Sequence, residues 1–248
     1  MKYFLITICA RGGSKGIPNK NIKHLAGQEL IAYTINHAQK FKQYLEKNHN
    51  YKVNLEISTD SQKIKSVAGK YNLTNDYIRP DQLANDTAGK LGVIKDILLF
   101  SESEHKVNYD YILDLDVSAP MRTTKDLIDG FNIFINSKNA SNLFSVSTAN
   151  KNPYFNMVEE NKEGFYSLSK SVGTILSRQE APKVFEMNAS FYFYKRAFYN
   201  ESDLNLFRQA LIYPMTHESF DLDHIIDFDF LEFLITNNKL TFEIKWMY

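Results

Sequence analysis

The sequence predicts an α/β fold in three layers, a mainly parallel sheet between two sets of helices. Two features predict it. Apolar runs of strand length alternate with longer stretches of helical period, and the strand–helix–strand order repeats along the chain, which is how a parallel sheet covered on both faces is written. In chain order, "KYFLITICA" reads as a buried strand, and "ELIAYTINHAQKF" places Leu30, Ile31, Tyr33, Thr34, Ala38 and Phe41 near one helical face. "NLEISTD" is the next strand and "SQKIKSVAGKYN" the next helix; "DYIRP" is a short strand stopped by Pro80. "TAGKLGVIKDILLF" is a helix with Leu91, Ile94, Ile97 and Leu98 on one side. "YDYILDLDV" is a strand, "TTKDLIDGFNIFINSK" a helix with Thr124 as its N-cap, and "NLFSVST" a strand.

The regularity breaks between about residues 150 and 186. "NKNPYFNMVEENKEGFYSLSK" reads as short antiparallel pieces joined by turns, and "SVGTILSRQEAPKVFE" as a polar connection. The expectation is one domain over residues 1–248, with 150–186 as an arm or insert projecting from it. "MNASFYFYKRAFY" resumes strand character, "IIDFDFLEFLITNN" reads as a last amphipathic helix, and "TFEIKW" as a final strand. Trp246 and the "FYFY" stripe are expected in the core.

Composition narrows the function. With 248 residues, 44% hydrophobic and 23% charged, the chain can build one sizeable core. Its formal net charge is zero, which argues against a broad basic face, so neither nucleic acid nor a membrane is expected as a partner and any anion binding is local. Cys9 is the one cysteine, which fits a reducing compartment, and is read as a small core residue rather than a nucleophile. The opening apolar run is too short to span a bilayer and leads into a charged loop, so the reading is cytoplasmic. The six histidines show no ligand spacing.

Glycine is scarce, ten in all, yet Gly12, Gly13 and Gly16 crowd with Arg11, Lys15 and Lys20 into "CARGGSKGIPNKN", directly after the first strand. In open α/β sheets ligands bind beyond the carboxyl ends of the strands. Backbone N–H groups of a glycine-rich turn can face phosphate oxygens, and the cations add charge-assisted contacts. The loop is neither a Walker A nor a G-x-G-x-x-G loop. On its chemistry alone, a solvated turn with incidental cations stands beside a nucleotide cradle.

"ARGGSKGIPNKNI" resembles the signature of the acylneuraminate cytidylyltransferases, the CMP-sialic acid synthetases and their relatives. The resemblance implies a Rossmann-like sheet of the nucleotide-diphospho-sugar transferase type. It also implies transfer of CMP from CTP to a 2-keto sugar acid, with Mg²⁺ as cofactor and a homodimer formed through the arm. It assigns Arg11, Gly12, Gly13, Ser14, Lys15, Lys20 and Asn21 to the nucleotide. "RPDQLANDTA" resembles the family's Arg-Pro…Leu-Ala-x-Asp-Thr-Ala stretch and puts Arg79, Leu83, Asn85 and Asp86 at the cytosine end; Asp86 and Thr87 read equally as a plain helix cap. "ISTD" matches a family Ser-Thr-Asp and is read mainly as a cap by Asp60 or Ser61.

"LDLDVSAPMR" stands where many members have Leu-Gln-Pro-Thr-Ser-Pro-Leu-Arg, so Asp116 replaces a glutamine. Asp114 and Asp116 are two apart and share one strand face, and a carboxylate there can ligate Mg²⁺ or orient the attacking hydroxyl; a strand-end cap is the plain alternative. "SRQEAPKVFEMNASFYFY" resembles the Arg-Gln…Asn-Gly-Ala-Ile-Tyr segment, which assigns Arg178 to the triphosphate or the sugar acid's carboxylate and Gln179 and Asn188 to the sugar acid, with Arg178 also catalytic beside Lys20, Arg11, Asp116 and Asp223. Glu186 and Ala189 depart from the family's arginine and glycine. "ESFDLDHIIDFDF" supplies Asp221 and Asp223, an Asp-x-Asp pair assigned to Mg²⁺, against the alternative of charge at a helix start near His224. Asp227 and Asp229 are expected to serve that helix start or to face solvent.

For the acceptor, Phe155, Tyr192 and Tyr194 are candidates to line a sugar pocket. The Asp116 form leans the resemblance towards legionaminic or pseudaminic acid, or an 8-amino octulosonate. Two rival readings are a sugar-1-phosphate nucleotidyltransferase and a non-catalytic nucleotide-binding relative.

Overall fold

The computed structural model describes residues 1–14, 16–173 and 175–242. Lys15, and the predicted final strand with Trp246 from residue 243 on, lie outside the described residues.

The chain begins with β1 (Lys2–Cys9), then two short strands, β2 (His24–Leu25) and β3 (Gln28–Glu29), and α1 (Leu30–His49). β4 (Tyr51–Ser58), α2 (Gln62–Lys70), α3 (Lys90–His105) and β5 (Tyr111–Asp116) follow. Next come α4 (Thr124–Asn136), β6 (Asn142–Thr148), β7 (Val158–Glu160) and β8 (Tyr166–Leu168). β9 (Phe185–Lys195), β10 (Ala210–Pro214) and α5 (Ile225–Thr236) complete the described chain.

Six strands form one sheet in the order β10-β6-β9-β5-β1-β4. β1 runs parallel to β4 and β5, and β6 to β10, while β9 is antiparallel to both of its neighbours. Both faces are covered. On β1, Phe4, Ile6 and Ile8 point into a core built with α1, α4 and α5, and Leu5 points into a second core with α3 and Tyr194. That division explains why β1 is apolar throughout. α4 starts at a capping box in which Thr123, one residue before the expected Thr124, accepts from Asp126 N and Asp126 answers to Thr123 N.

Three further expectations are corrected. "DYIRP" forms no strand: past the end of β4 the Arg79 amide makes a single bond to Thr59 O, Pro80 has no N–H to continue a ladder, and Tyr77 turns inward to bond Asp96. β10 and the β2–β3 pair, short and weakly patterned, went unpredicted. α5 is not cleanly amphipathic: apolar side chains stand on its outer face as well as its inner one, beside Asp227, Asp229 and Glu232. It buries Phe228, Leu231 and Ile235 and also exposes Ile225, Ile226, Phe230 and Phe233.

Between β6 and β9 the chain makes a two-stranded hairpin, β7–β8, with Val158, Phe165, Tyr166 and Leu168 exposed. Where β9 enters the sheet its register against β6 shifts, and Ala189 takes φ 54° there. Among the described residues no helix is long and apolar enough to cross a membrane.

Candidate active site

A cleft of about 310 Å³ opens beyond the carboxyl ends of β1 and β5, where Cys9 and Asp116 sit side by side in register. The loop after β1 lines it with Arg11, Ser14, Lys20 and Asn21. The segment after α2 adds Arg79, Leu83, Asn85 and Asp86, and β5 adds Asp116. Half-buried Cys9 packs against the second core, as a small core residue does, and also lines the cleft. Burial, with Asp114 beside it, pushes its thiol well up, so it rests there uncharged.

The loop is tied down by its own residues. Asn21 Nδ2 donates to Arg11 O at 2.9 Å, and Gly12 N donates to Asp60 Oδ1 at 2.7 Å. A Cβ on Gly16 would stand 2.4 Å from the carbonyl oxygen of Asp223, so the loop passes against the acidic segment as only glycine allows. Gly13 faces open space. Arg11 Nη1 meets Asp86 Oδ1 at 2.5 Å, an ion pair between two stretches that line the cleft.

Helix α3 is not capped by Asp86 or Thr87. Its N-cap is Gly89, and Thr87 donates through N and Oγ1 to Asn85 Oδ1. Asn85 Nδ2 also donates to Gln82 O, so this stretch is folded around its own asparagine. Arg79 is buried, with both Nε and Nη2 on Ser58. Ser61, for its part, caps α2 through Ile64 N.

The first residue of α3, Lys90, also lines the cleft, and sequence reasoning missed it. Its Nζ lies 2.8 Å from Asp116 Oδ2, 3.1 Å from Asp114 Oδ2, and 4.4 Å from the Tyr192 ring centroid. The signal was present: two carboxylates on one face of a buried strand need a cation. Burial would raise the Asp116 carboxyl, but Lys90 and hydrogen bonds from Ser118 hold it down at about 2. Fully buried Arg122 spans Ser190, Thr34 and the backbone oxygens of Asp116 and Ala119, which fixes the turn after β5.

The acidic pair lies beside the cleft, held against Lys20 and Ser118, which line it. Leu222 N donates to Ser118 O at 2.8 Å, which docks the 221–223 segment on the end of β5. Asp223 Oδ1 is 3.3 Å from Lys20 Nζ. Asp221 Oδ1 is buried with no hydrogen-bond partner among the described residues. Burial, then Asp116 and Asp223, push its carboxyl up to about 7. An orphaned carboxylate oxygen beside a second carboxylate suits a hard divalent cation, and Mg²⁺ commonly takes one or two carboxylates plus substrate phosphates. Among the described residues no three His, Cys, Asp or Glu side chains gather as a ready-made metal cage. The helix charge is supplied instead by Asp227, whose carboxylate accepts from the backbone N–H groups of Asp223 and His224.

Of the described residues assigned to the site, Gly12, Gly13, Asp221 and Asp223 adjoin the cleft without lining it, and Arg178, Gln179 and Asn188 do not line it either. Arg178 and Gln179 are exposed on the arm, with Arg178 Nη2 on Asn150 O. Asn188 is buried, its amide bonded to Ser145, Ser147 and Met215. Tyr194 lies in the core rather than on a pocket wall.

A sequence profile described as Cytidylyltransferase matches residues 5–245. The chain belongs to the cytidylyltransferase family. Among its relatives, the post-translational flagellin modification protein B of Campylobacter coli is 41% identical over 241 residues, 97% of this chain and 98% of the relative. The CMP-N,N'-diacetyllegionaminic acid synthase of Campylobacter jejuni is 40% identical over 242 residues, again 97% and 98%. Among solved structures, CMP:2-keto-3-deoxy-manno-octonic acid synthetase complexed with CTP superposes at a TM-score of 0.64. It covers 96% of this chain and 100% of its own at 14% identity, a likeness of fold. This cytidylyltransferase is thus a nucleotidyltransferase, and its cleft is where that chemistry has to be sought.

Proposed function

We propose that this cytidylyltransferase transfers CMP from CTP to the anomeric hydroxyl of a 2-keto sugar acid and releases pyrophosphate. The acceptor is a nonulosonate, with a legionaminic acid first in line. The carrying observation is that the distant acidic pair is brought against the cationic loop that lines the cleft, with Lys20 on Asp223 and Gly16 against the Asp223 carbonyl. The relatives support the acceptor class: 40% identity to a diacetyllegionaminic acid synthase runs over nearly the whole chain.

In this reading the triphosphate lies along the β1 loop, with Arg11, Gly12, Gly13, Ser14 and Lys20 around it. The base lies towards Arg79, Leu83 and Asn85, whose backbone polar groups can read cytosine. The acceptor hydroxyl attacks the α-phosphorus in line and pyrophosphate departs. Charge grows on the phosphoryl oxygens and the leaving group, where Lys20 and Arg11 stabilise it without moving. Asp221 and Asp223 would hold Mg²⁺, which supplies positive charge to the phosphate oxygens when bound. Arg178 and Gln179 serve the acceptor's carboxylate from the arm, in a homodimer whose arms reach the partner; the exposed apolar side chains of the hairpin support that role. The lone cysteine and the use of CTP agree with a cytoplasmic enzyme.

The test is pyrophosphate release with CTP, UTP, GTP and ATP against legionaminic, pseudaminic and N-acetylneuraminic acids, an octulosonate and sugar 1-phosphates. Turnover confined to CTP plus a 2-keto acid is expected; turnover with sugar 1-phosphates alone overturns the reading. Asp223→Asn is expected to lose at least ~100-fold in kcat while keeping its fold, the scale on which charge stabilisation of a transition state is removed by one substitution. Full activity of that variant in magnesium buffer removes the metal assignment.

A further inference from the structure

Lys90 stands at the cleft already held by carboxylates: its Nζ donates to Asp116 Oδ2, pairs with Asp114 Oδ2 at 3.1 Å and faces the Tyr192 ring. Counted with its two carboxylates, the group carries a net charge of minus one. It therefore offers no attraction to a triphosphate or to the acceptor's own carboxylate. What it does present is an ionised oxygen. Asp116 Oδ1 accepts from Ser118 N and Ser118 Oγ, whereas among the described residues Lys90 is the one donor to Oδ2. A carboxylate oxygen accepts two hydrogen bonds, so Oδ2 keeps one lone pair, and the Asp116 side chain is 25% exposed.

The place of that oxygen says which substrate it faces. Asp116 ends β5 and accepts from Ser118, whose carbonyl carries Leu222 of the acidic segment. The oxygen thus sits beside the acidic pair, where the new bond is made. Arg79, Leu83 and Asn85 line the same cleft but come from the segment after α2 rather than from β5.

We propose that Lys90 is a positioning residue for the acceptor: by clamping Asp116 between α3, β5 and Tyr192 of β9, it aims Oδ2 at a hydroxyl or acylamino N–H of the sugar acid. The inference rests on the cytidylyltransferase reading above and adds to it the group of the acceptor that is recognised, a hydrogen-bond donor near the reacting carbon. A ribose hydroxyl of CTP has the same chemistry, and the experiment separates the two.

The experiment is steady-state kinetics on the full chain, with the KM of CTP and of the acceptor measured separately. The variants are Lys90→Met, Lys90→Arg, Asp116→Asn and the Lys90→Met/Asp116→Asn pair. Lys90→Met is expected to lower kcat/KM for the acceptor ~100-fold while the CTP KM moves less than ~3-fold, as happens when only one of two substrates is no longer held in its reacting orientation. Lys90→Arg, which keeps the charge, is expected to recover ~10-fold of that loss, and the double variant to be no worse than Asp116→Asn alone, because the two residues act as one unit. A CTP KM that rises in step with the acceptor loss overturns the inference and makes Lys90 a nucleotide-binding residue, as does loss of discrimination between CTP and its 2'-deoxy form. Additive losses without recovery by arginine overturn it too.

If Lys90→Met does not fold, Lys90→Arg and Asp116→Asn decide: acceptor-selective loss in both supports the inference, and loss in neither ends it. A wild-type enzyme that transfers CMP to none of the acids overturns the functional reading itself. A wild type that turns over beside an equally active Lys90→Met overturns only this inference.

Discussion

At Gly16 a single hydrogen atom stands where any side chain would strike the Asp223 carbonyl. Gly16→Ala is therefore expected to push the β1 loop off the acidic segment and to cut kcat/KM by at least ~10-fold, since small misplacements at a reacting centre cost that much or more. The measurement is pyrophosphate release, with near-ultraviolet circular dichroism confirming that the core is intact. Ala189 poses the opposite case. It holds φ 54° at the irregular entry of β9, a region that strains any residue with a Cβ by about 1–2 kcal/mol. Ala189→Gly is expected to raise unfolding stability by roughly 0.5–1 kcal/mol after glycine's extra unfolded-state entropy is subtracted, read from urea denaturation; a loss of stability would contradict the strain. The sequence shows that alanine stands where the resembling family has glycine, but not that the backbone keeps the glycine conformation. Residues that chemistry singles out one at a time, such as Arg11, Lys20 and Asp116, were legible. Lys90 was not, because its partners are set by strand register and not by neighbours in the chain.

At the level of elements, the start of α4 is joined to the stretch after β10 by Asp126 and His217, Oδ2 to Nε2 at 2.9 Å. Burial opposes both charges. The His217 hydrogen bond nevertheless holds the Asp126 carboxyl below its ordinary 3.8, and the Asp126 carboxylate raises His217 above its ordinary 6.5. A histidine raised on folding stabilises fully below its unfolded value and ceases to do so as pH rises through the higher folded one. An aspartate lowered on folding stabilises above its unfolded value and ceases to do so as pH falls through the lower folded one. The pair is thus at full strength between about pH 4 and 6.5. His217→Gln is expected to lower thermal stability by about 1 kcal/mol in that window and least above pH 8, the side chains of the pair being 9% and 6% exposed; a pH-independent loss would show that packing against Phe242, not charge, is what His217 provides.

The long helices and the apolar strands were legible because periodicity survives tertiary context. β10 was not, since five residues joining an edge by parallel pairing carry little pattern. "DYIRP" misled for the same reason: short apolar runs look alike whether or not a neighbour strand is there to receive them.

At the scale of the whole molecule, the proposed homodimer predicts a sedimenting mass twice that of the 28.8 kDa chain. Phe165 and Tyr166 are exposed on the β7–β8 hairpin. Phe165→Ser together with Tyr166→Ser is expected to shift the protein towards monomer and to lower acceptor kcat/KM without unfolding the sheet, because among the described residues β7 and β8 pair with each other and not with a strand of the central sheet. A dimer unaffected by these changes would move attention to the apolar outer face of α5. The layered sheet and the general place of the cleft were readable in advance, because strand ends gather ligand-binding loops in any fold of this kind. The way the cleft's parts lock together was not, since the Leu222–Ser118 bond and the Gly16–Asp223 approach join stretches some 100 to 200 residues apart.

The Arg11–Asp86 ion pair has a kinetic corollary. A nucleotide that reaches for Arg11 meets a guanidinium already engaged, so docking swaps one anion for another instead of simply adding a bond. Added salt then weakens the guanidinium's hold on its resident carboxylate as well as its pull on the newcomer. CTP association should accordingly respond less steeply to ionic strength than the cations of the loop suggest, and steepen in Asp86→Asn.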